Sequence, residues 1–514
     1  MKFELTVLAF LAACDGYKIL LVFPVPSNSH GYLGEGYVRH LLRAGHEVRY
    51  IAPIHIKNPP KNLRQIDVSS NFNLFPATDI FDLSKMIHKE LNTTHIAEVL
   101  QLMYRIANGT LLHDKVQELM HNQNERFDVV IAEWMFSELY SGLASVFNCP
   151  LIWSSSMEPH ALVLSLMDEA PNPAYAPQST PTTATLMTFV QRAKELWMYL
   201  HVIYNKWLYT AMDTRVYEQA YSSAMAVRGR SLPPLSLAKY NASLMLGNSH
   251  VSAGDVISLP QSYVAIGGYH VEDTVPPLPK NLQEIMDSAK YGVIYFSLGS
   301  ILKSRSMPPK LKKDLLDLFG GLKQTIIWKL EEEIPDNIYK NVHVVSFAPQ
   351  QSILAHPSCV LFITHGGLLS KIETIHFGVP IIGIPVFADQ FLNVDRAVQK
   401  GYAKRVDLDY DTPDNLKVAI AEILGNPRYR ERVKALSFVF HDRPVPPGKE
   451  LVHWVEHVVR TGGAPHLRSP ALMLPWYQKM YLDLLVVILT IICICFLLVK
   501  WSFSNRTGAK VKFS

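Results

Sequence analysis

The sequence predicts an α/β fold made of two parallel-sheet units facing a cleft. Short apolar runs of strand length alternate with helix-compatible stretches in both halves of the chain, the pattern of parallel sheets covered on both faces. An extended spacer, Val275-Pro-Pro-Leu-Pro-Lys280, separates the two series. At 514 residues and 48% hydrophobic composition, the chain also exceeds what a single core usually organises.

Residues 18–23 read as the first strand, 33–42 as an amphipathic helix stopped by Gly45, and 47–52 as the next strand, a βαβ opening. Residues 127–132 and 150–153 continue the alternation. Between them and the spacer, residues 185–225 form a long aromatic-rich helical tract that covers a ligand pocket, touches a membrane, or simply fills the core. After the spacer, strands are expected at 292–297, 325–329, 343–347, 360–364 and 380–384, so the second unit is Rossmann-like as well.

The two ends of the chain read as addresses. Residues 5–13 are apolar and end in small residues, which fits a secretory signal over 1–16. Residues 484–499 carry no charge and approach the length that crosses a thin bilayer, about 18 residues at about 1.5 Å each. Lys500, Arg506, Lys510 and Lys512 follow, so the positive-inside rule places the tail in the cytosol and the body in the lumen, a type I orientation in the endoplasmic reticulum membrane. Lys510 and Lys512 also fit a dilysine retrieval signal, although a basic stop-transfer flank reads the same way. The sequons at Asn92, Asn108 and Asn241 fall on the lumenal side and that at Asn505 does not. The expected boundaries are 17–275 for an acceptor-binding domain, 276–284 for a linker and 285–447 for a donor-binding domain. A C-terminal helix with a pre-membrane segment (448–475), a transmembrane helix (476–500) and a cytosolic tail (501–514) complete the chain.

Several classes are excluded by composition. A net charge of +4 with no basic stripe argues against a nucleic-acid partner. Of five cysteines, only Cys149 and Cys359 lie in the lumenal body, beside strand-like runs, so no disulfide framework is implied. Self-association is left open.

The informative stretch lies in the second unit: Phe347-Ala-Pro-Gln-Gln351, then Phe362-Ile-Thr-His-Gly-Gly367, then Gly383-Ile-Pro-Val-Phe-Ala-Asp-Gln390. A buried strand, a glycine turn and a helix make an anion site, because glycines let the backbone approach closely and the helix's first N–H groups carry a partial positive charge. A diphosphate fits there without a metal. His365 adds a donor, Glu373 can accept from ribose hydroxyls, and Asp389 with Gln390 can pair with the hydroxyls of a sugar.

Over more than forty positions this spacing resembles the donor signature of the UDP-glycosyltransferases, the membrane-bound group that conjugates small lipophilic molecules, and its insect branch in particular. The resemblance implies a GT-B fold and a UDP-sugar site. By that likeness Phe347, where the family often has Trp, stacks on uracil, and Gln350 lies near the base. Thr364 and His365 contact the diphosphate with Gly366 and Gly367, Ser300 of Ser297-Leu-Gly-Ser300 assists, Glu373 binds ribose, and Asp389 and Gln390 bind the sugar. Leu369 stands where vertebrate members commonly carry a phosphate-binding Asn; it cannot make that bond. Insect relatives mostly use UDP-glucose, and residues 248–263 lack the Arg of vertebrate members, which favours a neutral sugar. No cofactor and no metal are expected.

His30 lies just after the first strand, where open α/β sheets place ligands. The resemblance makes it the catalytic base that takes the acceptor's proton, oriented by Glu133 of Ala132-Glu133-Trp134, where vertebrate members usually have Asp. The acceptor, a small lipophilic molecule bearing a hydroxyl, is set by the divergent first half.

Other patterns are weaker. His453-Trp-Val-Glu456-His457 matches H-x-x-E-H, but no third-ligand segment follows, so it reads as a helix returning towards the first domain. Asp407-Leu-Asp409-Tyr-Asp411 reads as an exposed strand running into a Pro413 turn. Gly31-Tyr-Leu-Gly34-Glu-Gly36 lacks dinucleotide spacing and the acidic partner that an NAD(P) oxidoreductase needs. A catalytically silent UDP-sugar-binding protein is the other alternative, opposed by the coexistence of His30 and Glu133 with the pocket.

Overall fold

Runs such as Lys-Ile-Leu-Leu-Val and Cys-Val-Leu-Phe-Ile-Thr are buried on both faces, and each forms a central strand of a parallel sheet. The structure is a computed structural model that describes residues 16–74, 83–88, 96–168, 172, 187–272, 274–299, 307–331 and 339–510. The first sheet holds β1 (Lys18–Val22), β2 (Glu47–Ala52), β3 (Leu63–Asp67), β4 (Val129–Trp134), β5 (Leu151–Ser155), β6 (Ala242–Gly247) and β7 (Tyr263–Ala265), in the order 3-2-1-4-5-6-7. The second holds β8 (Val293–Ser297), β9 (Thr325–Lys329), β10 (Val342–Val345), β11 (Cys359–Thr364), β12 (Ile381–Gly383) and β13 (Ala403–Arg405), in the order 10-9-8-11-12-13. All pairings are parallel. Strand order reverses at β1/β4 in one sheet and at β8/β11 in the other, and a ligand crevice opens beyond the strand ends at such points.

The first helix spans Asn28–Arg43, five residues earlier than the amphipathic stripe suggested. Its apolar face begins at Leu33, but the turn before it is already helical, so His30 sits in the first helical turn rather than in a loop. The long helix spans Phe189–Val227 and starts at a capping box between Thr188 and Gln191. Val216, Tyr217, Ala220, Tyr221, Ala224 and Met225 bury its C-terminal half in the first domain's core, while Trp197, Tyr204 and Trp207 of its N-terminal half are exposed.

Within the 276–284 stretch, the helix Lys280–Asp287 begins, and Leu282 and Met286 are buried in the second domain's core. The short helix Leu83–Ile87 also packs there, although it belongs to the first half of the chain. The helix Pro447–Arg460 returns to the first domain, burying Leu451, Val455 and Val458 among β1, β2 and β6. Its Gly448 lies against His40, where a Cβ would come within 2.1 Å of the ring. Glu456 pairs with Arg460 and faces His46, and His457 meets His466, so the H-x-x-E-H pattern is absorbed in this packing. The Asp407–Asp411 stretch is no strand: Asp409 and Thr412 build a turn that feeds the helix Thr412–Gly425, with Pro413 in its first turn.

Past Met473, the helix Leu482–Lys510 contains a span of 22 residues, Leu482–Phe503, whose most apolar 18-residue window has mean hydropathy 3.2 and no buried residue, long and apolar enough to cross a membrane. The signal expected over 1–16 lies outside the described residues except for Gly16, as do Ser300, Asn92 and Lys512. Asn108 stands within the helix Ile96–Leu111, and Thr110 of its sequon is buried against Asn71, whereas Asn241 is exposed. Cys149 and Cys359 are free thiols whose pKa burial pushes up to about 12, which suits packing and leaves them unreactive.

Candidate active site

The first half of the site is built at the β1/β4 reversal. The helix Asn28–Arg43 leaves the end of β1, and its first turn turns His30 towards the end of β4. There Glu133, buried among the first domain's side chains, accepts a hydrogen bond from His30 Nδ1 at 2.5 Å. Ser156, beyond β5, donates to the same carboxylate oxygen. Because a carboxylate only accepts, this bond fixes the Nδ1–H tautomer and leaves the Nε2 lone pair free of any hydrogen bond among the described residues. Burial pulls the His30 pKa down and the helix N-terminus also disfavours an imidazolium, yet the Glu133 charge and hydrogen bond raise it above 6.5, with help from Asp389 of the other domain. The longer arm of glutamate therefore reaches the imidazole without difficulty.

The second half is built at the β8/β11 reversal. β11 ends at Thr364, and Gly366, at φ +81°, turns the chain into the helix Leu368–Phe377, whose N-cap is Gly367. Among the described residues no side chain caps this helix, so its first amides are available to an anion. Thr364 is buried, and its hydroxyl accepts from the Gly366 amide, holding the turn from beneath. The His365 ring lies over Gly299 and Gly367; a Cβ at either position would approach it to 2.6 Å. Burial and the nearby Lys329 hold the His365 pKa down at about 4, so this imidazole is a neutral hydrogen-bond donor.

Around this turn the remaining expected residues gather unevenly. Phe347, just beyond β10, is 66% exposed and presents an open aromatic face. Gln350 donates to Ser370 Oγ at 3.0 Å and to Glu373 at 2.5 Å. Glu373 also accepts from Gln351, so it is pre-positioned from two sides. Asp389 accepts from Asn393 at 2.8 Å, and burial raises its pKa. Gln390 uses its amide oxygen to hold the Val386 and Phe387 amides, which leaves Nε2 as its group for a ligand. Leu369 packs against the first domain's core.

Sequence reasoning missed two members of this neighbourhood. Lys329, at the end of β9, donates to the Gly299 carbonyl at 2.7 Å and brings a cation beside His365. Ser156 follows β5 in a Ser-Ser-Ser run with no distinguishing pattern, and only the pairing of β4 with β5 brings it to Glu133.

Known proteins resemble this chain along most of its length. The profile of the family described as "UDP-glucoronosyl and UDP-glucosyl transferase" matches residues 18–512. UDP-glucosyltransferase 2 of Dactylopius coccus is 31% identical over 528 residues, covering 100% of both chains. UDP-glucuronosyltransferase 2B7 of Homo sapiens is 32% identical over 395 residues, covering 75% of this chain and 72% of its own. Among solved structures, the calicheamicin glycosyltransferase CalG4 aligns with a TM-score of 0.56 at 15% identity over 87% of this chain and 99% of its own. Arabidopsis thaliana UGT89C1, complexed with UDP-L-rhamnose, aligns at 0.55 and 16% identity over 86% of this chain and 99% of its own. The structural likenesses establish the fold as GT-B. With its profile matched almost from end to end, the chain belongs to the UDP-glycosyltransferase family, which transfers sugar from a UDP-sugar.

Proposed function

We propose that this chain transfers glucose from UDP-glucose, with inversion, to the hydroxyl of a small lipophilic acceptor. The observation that carries the reading is the His30–Glu133 pair at one strand-order reversal, facing an uncapped glycine turn and helix at the other. The acceptor oxygen attacks the anomeric carbon while the bond from that carbon to the diphosphate breaks. His30 Nε2 takes the acceptor's proton, and Glu133 stabilises the imidazolium that forms. Charge growing on the departing diphosphate meets the 364–367 turn, the helix N-terminus, the neutral His365 donor and Ser300. Phe347 stacks on the uracil, Gln350 borders the base, Glu373 takes the ribose hydroxyls, and Asp389 with Gln390 takes the hexose.

Glucosyl and glucuronosyl transferases both appear among the relatives, so the neutral sugar rests on the missing Arg in 248–263. We place the enzyme in the endoplasmic reticulum membrane, anchored by the apolar C-terminal helix, with both domains lumenal and the basic tail cytosolic. A competition assay of UDP-sugars against phenol and steroid acceptors, run with and without chelator, tests the reading. Transfer from UDP-glucose that persists in chelator is expected; chelator-sensitive turnover would overturn the metal-free departure of UDP, and absence of transfer from every UDP-sugar would overturn the whole.

A further inference from the structure

Beside Asp389, a small, partly open pocket of about 20 Å³ lies between the domains, with room for about one hydroxyl, lined from the first domain by Glu158 and His160 and from the second by Asp389, Asn393 and Arg396. Two of its lining groups are buried donors left without partners. Among the described residues, neither ring nitrogen of His160 has a hydrogen bond, and Arg396 leaves Nη1 unpaired. The rest of the Arg396 fork is held by Asp255 of the first domain, through Nε at 2.7 Å and Nη2 at 2.6 Å. An unpaired buried donor is costly, and a ligand hydroxyl removes that cost.

The charges around this cavity cancel. Lys371, 1% exposed, donates to Glu158 at 3.2 Å and to Asn393 at 3.1 Å, and Asn393 in turn donates to Asp389. Lys400 donates to the Val251 carbonyl and lies within the fields of Asp255 and Glu158. Among the described residues, Lys371, Arg396 and Lys400 therefore stand against Glu158, Asp255 and Asp389, and Lys206, whose field reaches His160, is paired with Glu138. His160 adds no charge, since burial drives its pKa down to about 4. A neutral hexose brings hydroxyls that can accept from the idle donors and donate to Asp389. A uronic acid held at Asp389 would bring a further carboxylate beside this pocket, where each of the described cations already faces a carboxylate, and a buried charge without a balancing partner is strongly disfavoured.

We propose that Glu158 is a specificity-determining residue: by engaging Lys371 across the domain boundary, it withholds that cation from the donor sugar and restricts the enzyme to neutral hexoses. The inference rests on the reading that the hexose sits at Asp389 and Gln390. Specificity here comes from a cation already taken, a repulsive device rather than an added attraction.

The test is calorimetric binding of UDP, UDP-glucose and UDP-glucuronic acid to the full-length enzyme in detergent, for wild type and Glu158→Gln. Wild type is expected to bind UDP-glucose about tenfold or more tighter than UDP-glucuronic acid. In Glu158→Gln the Lys371 charge is uncompensated, so that ratio should fall at least about tenfold while UDP affinity stays the same. In Glu158→Gln/Lys371→Met the wild-type preference should return. A folded Glu158→Gln with an unmoved ratio, or a wild type that prefers UDP-glucuronic acid, overturns the proposal. If Glu158→Gln does not fold, Glu158→Asp, which shortens the arm that reaches Lys371, should lower the same ratio, and an unmoved ratio there is the same refutation. Loss of UDP binding by wild type would instead sink the underlying donor-site reading, so the two failures are distinguishable.

Discussion

His30 and Glu133 stand 103 residues apart in sequence, and their Nδ1 and Oε1 atoms are 2.5 Å apart at the point where the first sheet reverses its strand order. Each atom of the pair has one role. Nδ1 is committed to the carboxylate, and Nε2 is the only ring position that can take a proton from an acceptor.

His30→Ala should therefore lower transfer by about 10²- to 10⁴-fold, about 3 to 5.5 kcal/mol of barrier, while UDP binding persists. Initial rates with a phenol acceptor and calorimetry with UDP measure the two effects separately. Activity within about threefold of wild type would remove His30 from the mechanism.

The pH dependence has a defined sign. A base works when deprotonated, and the His30 pKa is raised above 6.5 once Glu133 outweighs burial, so kcat/KM should climb with pH through an inflection above that value. Glu133→Gln removes the charge and should shift the inflection downward while lowering the rate. Stability runs the opposite way: the protonated pair's contribution is complete below the unfolded pKa and is lost as pH rises through the higher folded value. Thermal melts across the same range would register it.

Phe347 offers an exposed ring with little packing duty, so Phe347→Ala should leave folding stability unchanged and weaken UDP binding. The loss of base stacking is about 1–3 kcal/mol, about 5- to 150-fold in Kd, and Phe347→Trp should preserve affinity. Unaltered UDP affinity in the alanine variant would mean that the base lies elsewhere.

Gly366→Ala should cost about 1–3 kcal/mol of folding stability. The residue has φ +81°, and an added Cβ would meet Val394 Cγ2 at 2.3 Å. Gly425, with open space around it, is the control at which alanine should be neutral or better. Denaturant midpoints compare the two.

What the sequence made legible follows from burial. β9 has the bounds that its apolar run suggested, because a strand covered on both faces is continuous in hydrophobicity. β3, with the edge sequence Leu-Arg-Gln-Ile-Asp, went unseen because three of its five residues meet water, and β7 and β13 are three residues each, too short for any period. The glycine turn and the acidic and amide groups of the donor half were readable because they lie within one stretch of chain. His30 and Glu133 were found through resemblance. Nothing local marks Glu158, Lys371, Asp255 or Arg396 as partners, since their pairing exists only once two domains, 213 residues apart at Lys371–Glu158, have closed on each other.

The return of the helix Pro447–Arg460 to the first domain has a mechanical consequence. The chain after it stays on that domain: Ala464 is buried there, Arg468 donates to Asn241, and Ser469 donates to Asp168. Any tether running from residue 474 into a bilayer thus attaches through the first domain. The second domain then has no direct chain link to that tether and is joined to the tethered domain through the 276–284 stretch and the Pro447 crossing.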